Sequence, residues 1–385
     1  MIKVFTAFTE EIDDAEAAVS ELLQQIEPEH NLLGNSLGIV HCFSDFVDSG
    51  VIRALCQKLP FELVGSTTLS LSNLGGSSQL GLILTVLTSD SASFVTGVSS
   101  PAGDDVDGPV TELYQRLSAG CAEKPVMLMP FIPFMRTIGG DEFIEKIDSL
   151  SGGIPAFGTL AISNEPDFSR SYTIHNGGYY ETSLVLAALV GDVDPIFLSA
   201  SVSDDTIVSQ KAVVTGSNRN ILQTINDKPA IQYLESIGLA KNGDISGIES
   251  MPFILTRPED GSRLIRACIG GTPEGAVVLC GAAPVNSVLS LAAMSLDDVV
   301  ESTGDKVTEA LKSGRGRGML MYSCAARYWA QGMQLRAEQE KVSACIGDQA
   351  PYHFVYSGGE IFPAFLPSGK VVNQLQNDSL IICIL

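Results

Sequence analysis

The chain has 385 residues, long enough for two or three domains, and carries 23 Lys+Arg against 45 Asp+Glu for a formal net charge of −22. That anionic balance repels nucleic-acid phosphates and anionic lipid, so nucleic-acid binding is excluded as a working role. A hydrophobic content of 45% with 37 glycines describes a globular chain with ample core and excludes intrinsic disorder.

Taken in chain order, strands and helices alternate at first. Lys3–Phe8 reads as a strand, Asp13–Ile26 as an amphipathic helix, Ser36–Phe43 as a strand, Ser49–Lys58 as a helix and Glu62–Ser66 as a strand. That alternation predicts parallel pairing through crossover helices. Leu80–Leu87 and Ser93–Val98 follow as consecutive strands, which suggests an antiparallel hairpin. A helix near Val110–Leu117, a strand at Val126–Pro130, a helix at Glu142–Leu150 and a strand around Pro155–Gly158 come next. Arg170–His175 and Tyr179–Val190 flank Asn176–Gly177–Gly178, a hairpin signal because these residues accept positive φ.

A second part begins at residue 221, which divides the chain into domains 1–220 and 221–385. Asp227 is expected to cap a helix through Ile237 with Pro229 in its first turn. Strands are expected at Phe253–Thr256, Leu264–Ile269, Ala276–Leu279 and Val288–Ala292, then a helix over Ser295–Lys312 with Ser295 and Asp298 as a capping pair. The apolar runs Met319–Ser323 and Tyr352–Tyr356 each end in small and polar residues, with helix-forming composition over Ala330–Gly347 between them. The chain closes on the apolar strand Leu380–Leu385. The fold class expected is α/β, with two packed domains whose mixed parallel and antiparallel sheets are flanked by helices.

No stretch approaches the length of a membrane span, and Met1–Phe8 runs straight into Glu10–Glu11 without a signal-peptide pattern. The eight cysteines form no Cys-x-x-Cys, which removes a zinc ribbon or dithiol redox centre, and most lie in apolar strings suited to reduced thiols. These readings place the protein in the cytoplasm, with no membrane insertion. The cluster Lys312, Arg315 and Arg317 is interleaved with glycine and reads as a solvated turn.

Several residue patterns bear on chemistry. Arg327 and Glu360 stand at the ends of two adjacent apolar runs, where ligand sites of open α/β sheets lie. A guanidinium opposite a carboxylate can grip the two charged groups of an amino acid, or the two can simply pair with each other. Gly359 precedes Glu360 and lets the backbone approach a guest. Cys324 is a candidate nucleophile if a helix N-terminus lowers its thiol pKa, and otherwise a packed thiol in a pocket wall. No histidine belongs to its loop, so no catalytic residue is assigned. Gly65–Ser66–Thr67–Thr68 offers Ser66 and Thr67 hydroxyls to an anion but lacks a nucleotide-loop spacing.

The pattern Ser323–Cys324–Ala325–Ala326–Arg327, Glu338, Tyr356, Gly359–Glu360, Pro363 and Asn377–Asp378–Ser379 resembles the C-terminal half of the FIST family of sensory modules. Val64–Gly65–Ser66–Thr67–Thr68, Ile154–Pro155–Ala156–Phe157–Gly158 and Ile225–Asn226–Asp227–Lys228–Pro229–Ala230 are similar to its N-terminal half. The resemblance implies a sensory protein that binds a small metabolite, such as an amino acid, in a cleft at the C-terminal strand ends. Ligand contacts would then fall on Cys324, Arg327, Tyr356, Gly359, Glu360, Ser66 and Thr67. It also implies a separate signalling partner, for instance a histidine kinase or a cyclic-dinucleotide enzyme. Haem and nitric-oxide sensing, with His175 as axial ligand, is the alternative by the same resemblance, since no cofactor is fixed by the residues. A Cys- or Glu-dependent enzyme acting on a small metabolite is the other.

Overall fold

The computed structural model describes residues 2–248, 251–259, 261–314, 316–365 and 369–385, so Arg315 of the basic cluster lies outside the described residues. Three six-stranded sheets and one larger antiparallel sheet account for the strands described. The first sheet runs Lys3–Thr9, Leu82–Ser89, Asn35–Cys42, Leu63–Thr67, Thr173–His175, Gly178–Tyr180. Only Asn35–Cys42 and Leu63–Thr67 pair in parallel, and the helix Val51–Lys58 makes the crossover between them. In Asn35–Cys42, Leu37 and Ile39 point to one core while Val40 and Cys42 point to the helix side. Both faces are therefore apolar, which is why the strand reads as a continuous run. The helix Ala15–Ile26 begins where the Asp14 carboxylate accepts from the backbone N–H groups of Glu16 and Ala17 at 3.0 Å each.

The second sheet runs Val371–Gln376, Glu360–Phe365, Gly158–Leu160, Met127–Ile132, Val185–Gly191, Ala92–Val98, with helices Asp107–Gly120 and Gly140–Ser151 packed on it. The third runs Ile196–Ala200, Leu380–Ile384, Met319–Cys324, Tyr352–Ser357, Leu71–Asn73, Gly76–Ser78, covered by helices Leu296–Ser313 and Ala337–Ile346. The inner faces of all three sheets meet in one core that includes Ile39 and Ile83, Met129 and Phe131, and Leu320 and Tyr322. The fourth sheet, from Ala212–Asn218 to Val288–Leu291, folds around the helix Ala230–Ser236 with its own core.

The second and third sheets take strands from both sides of residue 221. Glu360 and Ile361 pair with Thr159 and Gly158, Phe354 and Val355 pair with Ser72 and Leu71, and Ile196–Ala200 pairs along Leu380–Ile384. The mixed α/β class, with parallel and antiparallel pairing flanked by helices, is as the sequence predicts. The hairpin at Asn176–Gly177 is also found, with both residues at positive φ (47° and 78°) between His175 and Gly178.

Local differences have physical causes. Asp227 caps no helix: Asn226 and Asp227, at φ 47° and 62°, form a two-residue hairpin turn between Ile221–Ile225 and Lys228–Pro229, and the helix starts after Pro229. The predicted strand Leu264–Ile269 divides into Arg263–Arg266 and Cys268–Gly271, and Tyr179–Val190 divides between Tyr180 and Val185. The hairpin expected of Leu80–Leu87 and Ser93–Val98 does not form, because Leu82–Ser89 pairs within the first sheet and Ala92–Val98 with Val185–Gly191 in the second. The helical stretch after the motif strand starts at once with Ala325–Ala330, then resumes at Ala337–Ile346. The capping box of Ser295 and Asp298 is present.

Candidate functional site

The motif strand Met319–Cys324 and its parallel neighbour Tyr352–Ser357 carry their C-terminal ends to one place, as the strand–helix–strand order requires. Arg327, in the first turns of helix Ala325–Ala330, is 1% exposed. Its Nη2 donates to Glu338 Oε1 at 2.8 Å, to Thr303 Oγ1 at 2.8 Å and to the Val299 carbonyl at 3.1 Å, and its Nε donates to Glu338 Oε1 at 3.1 Å. Ser323 Oγ donates to Glu338 Oε2 at 3.0 Å, and Thr303 Oγ1 donates to Oε1 at 2.7 Å. This fully buried ion pair, with its many hydrogen bonds, ties helix Leu296–Ser313, the motif strand and helix Ala337–Ile346 together.

Glu360 is equally buried but makes no ion pair with Arg327. Its two oxygens accept from Ser357 Oγ at 2.6 Å and Ser379 Oγ at 2.7 Å, and burial pushes its carboxyl well above the usual range. Asp378, at φ 54° in the turn before the last strand, is pushed up to about 7 by burial, and neither of its oxygens has a hydrogen-bond partner among the described residues. The Cys324 thiol is raised well above its ordinary value by burial, then by Glu360 and Asp378, so the lowering expected from a helix N-terminus is overturned. Tyr356 is buried with its hydroxyl accepting from Gln331 Nε2 at 2.9 Å, and Gly359 lies tight against Asn377 and Leu375.

Ser66 and Thr67 end the strand Leu63–Thr67 on the opposite side of Tyr172, whose backbone exchanges hydrogen bonds of 2.9 Å with the Thr67 N–H and Oγ1. Gly65 is required there because a Cβ would lie 1.7 Å from the Val40 carbonyl oxygen. The sequence-derived residues Cys324, Arg327, Tyr356, Gly359 and Glu360 are thus brought together, but inside the protein and not on the wall of an open cleft. His175, the expected haem ligand, is half-buried with Nε2 2.8 Å from Thr96 Oγ1. Among the described residues no group of three or more His, Cys, Asp or Glu side chains is placed to hold a metal ion.

An open cavity of about 200 Å³ lies nearby, between helix Gly140–Ser151 and the strands Arg263–Arg266 and Val371–Gln376. Asp141, Glu145, Asp148, Arg257 and Arg266 line it. Arg266 is 1% exposed, donating from Nε to the Ala282 carbonyl at 3.0 Å and from Nη1 to the Leu375 and Ile265 carbonyls at 2.9 and 3.1 Å. Its Nη2 stands 3.7 Å from Asp141 Oδ2, beyond hydrogen-bond range. Asp141 Oδ2 accepts from the Ala282 N–H at 2.8 Å, whereas its buried Oδ1 has no partner among the described residues. Burial lowers the Arg266 pKa and raises that of Glu145, the latter also through Asp141. The arrangement sets a guanidinium and a carboxylate side by side, with the Asp141 Oδ1 oxygen unpartnered. Sequence reasoning passed over Arg266, although an Arg inside the run Leu264–Ile265–Arg266–Ala267–Cys268–Ile269 signals a buried charge.

Comparison with known proteins adds a family. The FIST N domain matches residues 36–228 and the FIST C domain matches residues 230–363. No curated protein matches the chain. Among solved structures, a cyanuric acid hydrolase from A. caulinodans is 9% identical at a TM-score of 0.38, covering 100% of this chain and 99% of its own. PurLQS from Thermotoga maritima is 9% identical at a TM-score of 0.22, with 100% of this chain and 72% of that chain covered. Likenesses at those values decide neither fold nor function. The chain belongs to the FIST family, whose domains are sensory.

Proposed function

With membership of the FIST family as the premise, we propose that this chain is a cytoplasmic sensory protein that binds a small zwitterionic metabolite, an amino acid by its chemistry, and signals to a separate partner. One observation carries the reading: Asp141 Oδ1 lacks a donor, Arg266 Nη2 stands 3.7 Å from Asp141 Oδ2, and both residues line the same cavity of about 200 Å³. An ammonium group answers the first and a carboxylate answers the second, with charge-assisted hydrogen bonds in both cases. Arg257 adds a second guanidinium at the rim.

In this reading Gly359 and Glu360 support the ligand wall from behind through Leu375 and Gln376, while Cys324, Arg327, Tyr356, Ser66 and Thr67 make no contact with the guest. Helix Gly140–Ser151 belongs to the segment 1–220, and the strands facing it belong to 221–385. A guest held by both segments favours one packing of the two over another, which is the differential binding a signal requires. The recipient would be a separate protein such as a histidine kinase or a cyclic-dinucleotide enzyme. All eight cysteines are free thiols, which supports a reducing compartment.

The test is calorimetric titration with the common amino acids, on protein first checked for a retained ligand by denaturation and mass spectrometry. Saturable binding of one side-chain class, weakened tenfold or more by Asp141→Asn, is the expected result; tenfold corresponds to about 1.4 kcal/mol. Ligand-free protein that takes up no amino acid sinks the proposal.

A further inference from the structure

A second cavity, of about 370 Å³, opens where the loop at 163–168, the strand Cys268–Gly271 and helix Ala325–Ala330 approach one another. Its walls include Leu69, Glu165, Phe168, Ile269 and Trp329. Trp329 is the one tryptophan of the chain and is 41% exposed, unusual for the largest apolar side chain. Its ring lies 6.2 Å from that of Phe168, which is braced edge-on by Phe134 at 4.9 Å. Phe168 is held at φ 57°, a left-handed conformation that a bulky side chain adopts at a cost and that clusters at ligand clamps. Glu165 Oε2 is buried and has no hydrogen-bond partner among the described residues.

Two aromatic faces, a carboxylate oxygen in need of a partner and apolar side chains at Leu69 and Ile269 make a specific combination. Aromatic faces attract a cation that has been stripped of water, the carboxylate fixes its position, and the apolar wall takes alkyl groups. An ammonium ion bearing methyl or methylene groups satisfies all three. Of the neighbouring arginines, Arg170 feels the Glu165 charge but makes its ion pairs with Asp45 at 2.6 Å and Asp48 at 2.7 Å. Arg136 is exposed, with its guanidinium beside Gly270 and its charge acting on Asp167.

We propose that this cavity is a binding site for a small alkylammonium cation, seated against Trp329 and Phe168 with its charge on Glu165. It shares no lining residue with the Asp141–Arg266 cavity and stands whether or not that cavity takes an amino acid. Because Trp329 is the sole tryptophan, intrinsic emission reports the site directly. Choline is the probe, and its neutral isostere 3,3-dimethylbutan-1-ol is the control. The expected result is a saturable change in emission with choline, at least tenfold weaker with the alcohol and with Glu165→Gln, and unchanged by Asp141→Asn. Trp329→Leu, followed by calorimetry, should lose choline binding at an unaltered melting temperature. A flat response to choline, an equal response to the alcohol, or full affinity in Glu165→Gln overturns the assignment.

Discussion

Two arginines are sealed to the same degree, Arg327 and Arg266 each 1% exposed, and yet they end in opposite circumstances. Arg327 meets Glu338 at 2.8 Å and further hydroxyl and carbonyl oxygens, all from residues 299–338. Arg266 satisfies two nitrogens on backbone carbonyls and turns the third toward a carboxylate 3.7 Å away, contributed by the other half of the chain. Burial of a charge does not by itself mark a site. What separates the two is the partner: Arg327 has a carboxylate in hydrogen-bond range, whereas the carboxylate facing Arg266 keeps its distance and leaves Asp141 Oδ1 unsatisfied, which costs free energy until something binds it.

The comparison can be broken most severely by cutting the chain. Residues 1–220 and 221–385 expressed separately should each fail to fold, since each would leave strands of the second and third sheets unpaired; co-expression should restore a soluble complex, read by size-exclusion chromatography. Next in size is Glu338→Gln, which strands the Arg327 charge in the interior. Its expected cost is about 3–5 kcal/mol by denaturant titration, as for other broken buried pairs.

A third experiment separates Glu360 from both arginines through pH. The folded chain binds the Glu360 proton more tightly than the unfolded chain, where the group titrates near 4.5, so this residue withdraws stability as pH rises above that value. Glu360→Gln should therefore gain on the parent with rising pH, by about 1.4 kcal/mol per unit until the folded carboxyl ionises. The buried pair His41 and His353 acts in the opposite sense. The pKa of His353 falls from 6.5 to about 3, so stability is lost as pH drops below 6.5. Thermal melts from pH 4 to 8 read both arms. The smallest effect is Asp141→Asn, which should cost less than Glu338→Gln because Arg266 keeps its three carbonyl bonds, while lowering ligand affinity. If Asp141→Asn and Glu338→Gln destabilise equally, the distinction between the two arginines fails.

The motif strands, the capping box at Ser295 and the Asn176–Gly177 turn were legible because each is written in local chemistry: an apolar run, a hydroxyl three residues before a carboxylate, residues that tolerate positive φ. Leu71–Asn73 and Gly76–Ser78 were not, since neither has an apolar run of its own and the first exists by pairing with Tyr352–Ser357. The site divides the same way. The Ser323 to Arg327 pattern singled out the right neighbourhood, and Glu338 stood in it, but nothing local says that Arg327 turns to Glu338 and not to Glu360. Asp141 and Arg266 meet only through the packing of a helix against two strands from distant parts of the sequence, and no spacing records that meeting.

The position of Leu380–Ile384 between Ile196–Ala200 and Met319–Cys324 has a consequence for synthesis. The third sheet cannot join these two strands until residue 384 has been made, so their facing edges stay bare while translation proceeds at roughly 5–20 residues per second. Bare edges recruit other strands, and the nascent polypeptide is exposed to that hazard until Leu380–Ile384 is in place.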